Sequence, residues 1–350
     1  MGNVHKIPFV DSMGDPAFTS ERPVSGSSKV GSLLSSPVSA STKTPVPFPE
    51  DLSTTITKKT VMYAGAAYCP SVSAGNWTCG RYCDANPDFV IGYSGGDGSV
   101  KQRFFIGWNP PTKEIVVGRQ GSDLTQFVSW LYLVGFLQTK LDEEVAKTFS
   151  RLPNSVRAAS PQSDKALASS GFQTAWKQTY AEVKAQVQAQ LASHPDAVRI
   201  FVTGHSLGAA IAVLDAIALR NVAPTGVQVE VSVTGQPRVG NPVFAALLDQ
   251  LVDTPSQNFV YNRITNHKDP IPHFFPSFSG YEHSSNEIWI PEAKSNSTSP
   301  ALLCPGRENM NCANSQVSNL DLLEHPGKSF GEIPERRAQS GEAPGSIDGF

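Results

Sequence analysis

With 350 residues, 39% of them hydrophobic, the chain can bury one large core or two modest ones. A formal net charge of −3 without any dense Lys/Arg block leaves no electrostatic footprint for nucleic acid, so that class of partner is excluded. No stretch reaches the ~18 to 20 consecutive apolar residues that a membrane span requires.

Residues 1 to about 50, for example "SGSSKVGSLLSSPVSASTKTPVPFPE", are rich in Ser, Pro, Gly and Thr and show no helical or strand period. That composition predicts a disordered pro-region or linker. The opening "MGNVHKIPFVDSMGD" lacks the apolar run of a secretory signal, and Lys6 departs from the myristoylation pattern. Asp51 to Tyr68 reads as a helix capped by Asp51, with Val61, Ala64 and Tyr68 on one face. Next come "FVIGYSG", "RFFIGW" and "IVVGRQG", a run of strands in which Pro110 and Pro111 fix a hairpin turn.

From Val198 onward strands and helices alternate: "VRIFVTG", a helix from Leu207 to about Arg220, "VQVEVSVTG", "NPVFAALLDQLV", "FVYNRITN" and "EIWI". Such a rhythm implies parallel strands joined by right-handed crossovers, an α/β layer fold whose ligands bind at the carboxyl ends of the strands. One domain is expected over residues 51–335, followed by a disordered tail, "RRAQSGEAPGSIDGF", over 336–350.

Cys69, Cys79, Cys83, Cys304 and Cys312 fall in two clusters whose spacing suits short disulfide-closed loops better than a tetrahedral zinc site. Their odd number leaves one thiol unpaired. Sequons at Asn76 and Asn296 fit a glycosylated, secreted protein. No metal or cofactor is expected.

Between "RIFVTG" and the helix after it stands "GHSLG", a GxSxG pattern centred on Ser206. A serine hydroxyl must be exposed, stripped of its proton and given donors for the oxyanion it creates. A sharp strand-to-helix turn exposes it, Gly204 and Gly208 leave room for strand and helix to approach, and the Leu207 N–H at the helix start can receive the oxyanion. A general base is then needed. His5 lies in the disordered arm, His194 ends a helix, and His205 adjoins the serine and points away from it. His267, His273, His283 and His325 remain. Asp269 follows the strand "FVYNRITN" and can orient an imidazole, but the order Ser, Asp, His does not choose between the two histidines that come well after it, His283 and His325.

The motifs "AAYC", "VTGHSLGAAIAVLDA", "TGQPRVGNPVFA", "NHKDPIPHFFP", "GYEHSSNEIWI" and "CPGRENMNC", in that order before a late histidine, resemble the fungal class 3 lipases, secreted α/β hydrolases of acylglycerols. The resemblance covers residues 55 to 333 and implies an α/β-hydrolase fold, a mostly parallel central sheet flanked by helices with a helical lid. It further implies Ser206 as nucleophile, Asp269 as acid and His325 as base, with Ser122 and Leu207 as oxyanion donors. His205 and His283 become residues behind the site, His283 as a hydrogen-bonded structural histidine. Cys79 pairs with Cys83 and Cys304 with Cys312, leaving Cys69 as a free thiol. The segment after Ser122 becomes a lid whose apolar face is formed by Leu124, Phe127, Val128, Trp130 and Leu131.

Three departures accompany the resemblance: Gln120 stands between Arg119 and Gly121, Ser169 replaces a histidine in "SSGF", and the stretch between Phe136 and Ser170 is long. The expected activity is hydrolysis of acylglycerols at a lipid–water interface by a secreted monomer. The alternatives are a feruloyl or other soluble carboxylesterase, a mono- or diacylglycerol-preferring lipase, and a non-catalytic lipid-binding relative, which would have lost a triad member.

Overall fold

In the computed structural model, residues 40–99, 101–122, 137–158, 163–292 and 300–325 are described. Residues 1–39, the candidate lid residues Leu124, Phe127, Val128, Trp130 and Leu131, the sequon at Asn296 and the 336–350 tail lie outside them.

The elements in chain order are β1 (Val46–Pro47), α1 (Glu50–Ala66), β2 (Val90–Gly95), β3 (Phe104–Asn109), β4 (Glu114–Arg119), β5 (Gln138–Lys140), α2 (Glu143–Ser150), β6 (Leu167–Ser169), α3 (Ser170–Ser193), β7 (Arg199–His205), α4 (Leu207–Leu219), β8 (Gln228–Thr234), α5 (Pro242–Val252), β9 (Phe259–Asn266), β10 (Glu287–Ile290) and β11 (Leu302–Cys304). Among the described residues nine strands form one sheet in the order β1-β11-β10-β9-β8-β7-β4-β3-β2. Strands β4, β7, β8, β9 and β10 run parallel at its centre, and antiparallel pairs close both flanks. Strands β5 and β6 pair separately.

Alternation along the strands builds a layer on each face. Ile115, Val117, Ile200 and Val202 join the cluster that contains α4, whereas Val116, Phe105 and Phe201 pack with Tyr63 and Ala66 of α1. Helix α4 is buried along its whole length, because α3 and α2 cover the side that faces away from the sheet. Its sequence is therefore apolar all round rather than amphipathic.

Two expectations are corrected. The helix after the N-terminal stretch begins at Glu50 with Pro49 at its N-cap, and no side chain caps it, so Asp51 is not the cap. The Pro49 ring presets the entry to the helix, and Asp51 sits inside the first turn, where its charge favours the positive end of the helix dipole. Nor is all of 1–50 unstructured. Val46 and Pro47 pair with Leu303 and Leu302, Phe48 is buried, and the Ser41 N–H donates to Arg307 O at 3.0 Å. The order of this segment comes from its pairing with β11, far along the chain, and not from its own composition.

Candidate active site

Ser206 sits between β7 and α4 with φ 59° and ψ −128°. A non-glycine residue in the left-handed half of conformational space is strained, and the surrounding backbone imposes it. A Cβ at Gly204 would run into the Gly208 carbonyl, and one at Gly208 would lie 2.7 Å from Arg119 O and from Gln120. Both glycines are thus required for strand, helix and the end of β4 to meet. The Ser206 N–H donates to Thr234 O at 3.2 Å, which fixes the turn to the end of β8.

Residues from the ends of β9 and of the described chain approach the same place. The Asp321 N–H donates to Lys268 O, Asn266 Nδ2 donates to Glu324 O, both at 3.0 Å, and the segment is thereby tied to the end of β9. His325 Nδ1 lies 2.9 Å and 3.0 Å from the two carboxylate oxygens of Asp269, and both residues are buried. Asp269 Oδ1 also accepts from the Ile271 N–H at 2.9 Å. Because a carboxylate only accepts, Nδ1 carries the imidazole proton and Nε2 is the basic nitrogen. Ser206 Oγ and His325 Nε2 are buried and, among the described residues, neither has a hydrogen-bond partner. One is free to lose a proton and the other to take it. Gly235, directly after β8, backs this pair: a Cβ there would be 3.0 Å from His325 Cε1 and 3.2 Å from Asp269 Oδ2.

The end of β4 brings up the third component. A Cβ at Gly121 would sit 2.5 Å from His205 O and 3.0 Å from Ser206 Cβ, so Ser122 is delivered beside the serine turn. Gln102 Nε2 donates to Ser122 Oγ at 3.5 Å. The Leu207 N–H, first in α4, belongs to the group that has no partner within its own helix. Together they offer donors near the serine.

Arg119 and Asp215 make this placement rigid. Arg119 Nε and Nη2 donate to the two Asp215 oxygens at 2.6 Å and 2.9 Å, Nη1 donates to Thr179 Oγ1 at 2.7 Å, and Trp176 Nε1 donates to Asp215 at 3.0 Å. Both charges are fully buried. The arginine that precedes Gln120 thus locks the end of β4 to α4 and α3, just upstream of Ser122 on one side and downstream of Ser206 on the other. Ser169, in the place of a histidine, caps α3 by accepting from the Phe172 N–H at 3.4 Å.

Of the two histidines expected behind the site, His205 stacks on the His325 ring with centroids 4.4 Å apart, so it flanks the base as well as the serine. His283 braces the turn after Asp269, its Nε2–H donating to Pro272 O at 2.7 Å. Burial drives His205 down to about 3 and holds His283 well below the ordinary imidazole value. His273, also a candidate base in the sequence, is brought down to about 4 by burial. The disulfides Cys79–Cys83 and Cys304–Cys312 form, and Cys69 is free and buried. Among the described residues one cluster has metal-ligand spacing, Glu287 with Cys304 and Cys312, but its sulfurs are joined in the second disulfide. Tyr68 was noted in the sequence only as a face residue and as part of "AAYC", yet its hydroxyl contacts both Gly121 and His205. Helical spacing marks it only as a face residue; the tertiary contacts of its hydroxyl tie it to the site.

Residues 117–279 match the family model for Lipase (class 3). Over that segment the chain is similar to the class 3 lipases. Its relatives include a secreted mono- and diacylglycerol lipase of Fusarium solani, 36% identical over 158 residues that span 44% of each chain. A secreted mono- and diacylglycerol lipase of Malassezia globosa is 28% identical over 272 residues, 76% of this chain and 81% of that one. The chain's match to the Fusarium relative thus spans under half of that protein's length, whereas its match to the Malassezia relative extends over most of it. Among solved structures, lipase II from Rhizopus niveus superposes with a TM-score of 0.65 at 26% identity, covering 81% of this chain and 96% of that one. The α/β-hydrolase fold of the chain follows from that likeness together with the sheet described above.

Proposed function

We propose that the chain is a carboxylic ester hydrolase acting on acylglycerols, with Ser206, Asp269 and His325 as its triad. The observation that carries the reading is the buried Asp269–His325 pair, beside a serine held at φ 59°. In the first half-reaction His325 Nε2 takes the Ser206 proton as Oγ attacks the ester carbonyl, and the oxyanion is received by the Ser122 and Leu207 N–H groups. The C–O bond to the glycerol oxygen breaks, and the imidazolium returns its proton to that oxygen. Water then attacks the acyl-enzyme, gives its proton to His325, and the fatty acid leaves as Ser206 regains its hydrogen. Asp269 stays ionised throughout, holding the ring in its Nδ1–H tautomer.

Mono- and diacylglycerols are the favoured substrates within this class, a reading supported by the names of the Fusarium and Malassezia relatives. Secretion is supported by the same names and by two disulfides, which persist in oxidising compartments. The test is hydrolysis of tributyrin, diolein, monoolein and methyl ferulate, above and below their solubility limits, beside Ser206→Ala. Turnover of the glycerides that vanishes in Ser206→Ala is expected. Efficient cleavage of dissolved methyl ferulate with none on glycerides would make the chain a soluble carboxylesterase instead.

A further inference from the structure

Three parts of the site come from distant points in the sequence, and one tyrosine touches the seam between them. The Tyr68 hydroxyl, just beyond α1, accepts from the Gly121 N–H at 3.0 Å and lies 2.9 Å from His205 Nδ1. His205 Nε2 in turn lies 3.0 Å from the carbonyl oxygen of His325. A carbonyl can only accept, so His205 carries its proton on Nε2, and its Nδ1 must accept from the tyrosine. The direction of every bond is therefore determined: Gly121 N–H to Tyr68 O, Tyr68 O–H to His205 Nδ1, and His205 Nε2–H to His325 O.

We propose that Tyr68 is a positioning residue for catalysis, registering the Gly121–Ser122 strand end and the His325 base against each other through the ring of His205. The proposal rests on the triad assignment made above. Its physical content is that a single hydroxyl, donating to Nδ1, holds the plane of His205, the ring that stacks on the base at 4.4 Å with 28° between planes. Gly235 also lies close to His325, where a Cβ would be 3.0 Å from Cε1 and 3.2 Å from Nδ1, so the imidazole has both a glycine and His205 against it. Burial and the neighbouring His325 keep His205 uncharged, down to about 3, which lets His325 carry the transient positive charge of turnover without a second cation against its face. Tyr68 itself is buried, and its hydroxyl spends its proton on His205.

Removing that hydroxyl leaves the Gly121 N–H and His205 Nδ1 without the partner they share, so the oxyanion loop and the base lose their common reference. Neither group binds the leaving portion of the ester, and the loss therefore falls on kcat rather than KM. The experiment measures kcat and KM on dissolved p-nitrophenyl butyrate, with thermal unfolding followed by circular dichroism, for Tyr68→Phe, His205→Leu, His205→Gln and the double variant Tyr68→Phe/His205→Leu, beside Ser206→Ala. Tyr68→Phe is expected to lose about tenfold or more in kcat with KM changed less than about twofold. The double variant should be no more than about threefold worse than the weaker single variant, because both break one linkage. His205→Gln, whose carboxamide can accept from Tyr68 and donate to His325 O, should keep a kcat within about fivefold of the wild type, with His205→Leu well below it.

A Tyr68→Phe enzyme within about twofold of wild-type kcat, or losses that multiply in the double variant, would overturn the proposal. If Tyr68→Phe does not fold, the pair of His205 variants decides, and equal kcat values for Gln and Leu would sink it. Turnover surviving in Ser206→Ala would refute the triad reading itself, whereas an inactive Ser206→Ala beside a fully active Tyr68→Phe refutes only the role of Tyr68.

Discussion

Replacing Gly235 by alanine adds one methyl group to the wall behind the triad, and its consequence can be worked out from the geometry. Gly235 has φ 59°, a conformation that costs an L-residue about 1 to 2 kcal/mol. Its new Cβ would lie 3.0 Å from His325 Cε1 and 3.2 Å from both His325 Nδ1 and Asp269 Oδ2. These approaches fall short of the ~3.5 to 4.0 Å optimum between carbon atoms, so the ring or the carboxylate must shift by a few tenths of an ångström. Since a misplacement of ~1 Å costs about a hundredfold in rate, a shift of that size should lower kcat about three- to tenfold. Gly226→Ala provides the control, because Gly226 also has positive φ (91°) and nothing lies within 4 Å of its added methyl. Urea unfolding should show both variants destabilised by a similar 1 to 2 kcal/mol or so, and initial rates on a dissolved ester should show only Gly235→Ala slowed. Wild-type kcat in Gly235→Ala, or an equal loss in Gly226→Ala, would refute the claim that Gly235 backs the working imidazole.

Further outcomes follow from the same structure. Asp215→Ala leaves the fully buried Arg119 charge without its partner and should cost about 3 to 5 kcal/mol in urea unfolding, whereas the joint replacement Arg119→Met/Asp215→Leu should recover most of that loss. Asp269→Asn removes the acceptor that sets the His325 tautomer and should reduce kcat by about 10⁴, as in other serine hydrolases of this geometry, with little change in KM. Burial lowers the folded values of His205 to about 3 and His273 to about 4, below the ordinary value near 6.5. The unfolded chain then binds more protons than the native one between about pH 3 and 6.5, so these groups contribute stability above that window that is lost as the pH falls through it. Chemical unfolding across this range should show a shallower fall for His273→Gln than for the wild type. Thiol titration without reductant should find one reactive sulfhydryl per chain in denaturant and none in the native state, where Cys69 is buried and its thiol is pushed up to about 11.

Much of the fold was legible because its signals are local. Alternating β-branched runs gave β7, β8 and β9, and the GxSxG glycines announced a close approach that the structure locates at Gly208 O and Arg119 O. The proton chemistry was less accessible. Order along the chain left His283 and His325 equal; the resemblance pointed to His325, and the ties of Asp321 and Glu324 to the end of β9 are what hold it against Asp269. What composition could not foresee depends on partners distant in sequence. Val46 and Pro47 are ordered by β11, Arg119 gains meaning only beside Asp215, and Tyr68 only beside Gly121 and His205. The central parallel strands and the hairpin between β3 and β4 were anticipated, but the other flank arises from the return of β11 beside β10 and of the N-terminal segment beside β11, which no crossover rhythm encodes.

Catalysis as proposed depends on Ser206 being an activated nucleophile served by His325. Its most direct test is covalent labelling with p-nitrophenyl butylphosphonate, followed by peptide mass spectrometry and by the rate of p-nitrophenol release. One adduct per chain is expected, located on Ser206, with none in Ser206→Ala and labelling slowed by orders of magnitude in His325→Ala. An adduct on another residue, or labelling of Ser206 at the wild-type rate without His325, would contradict it.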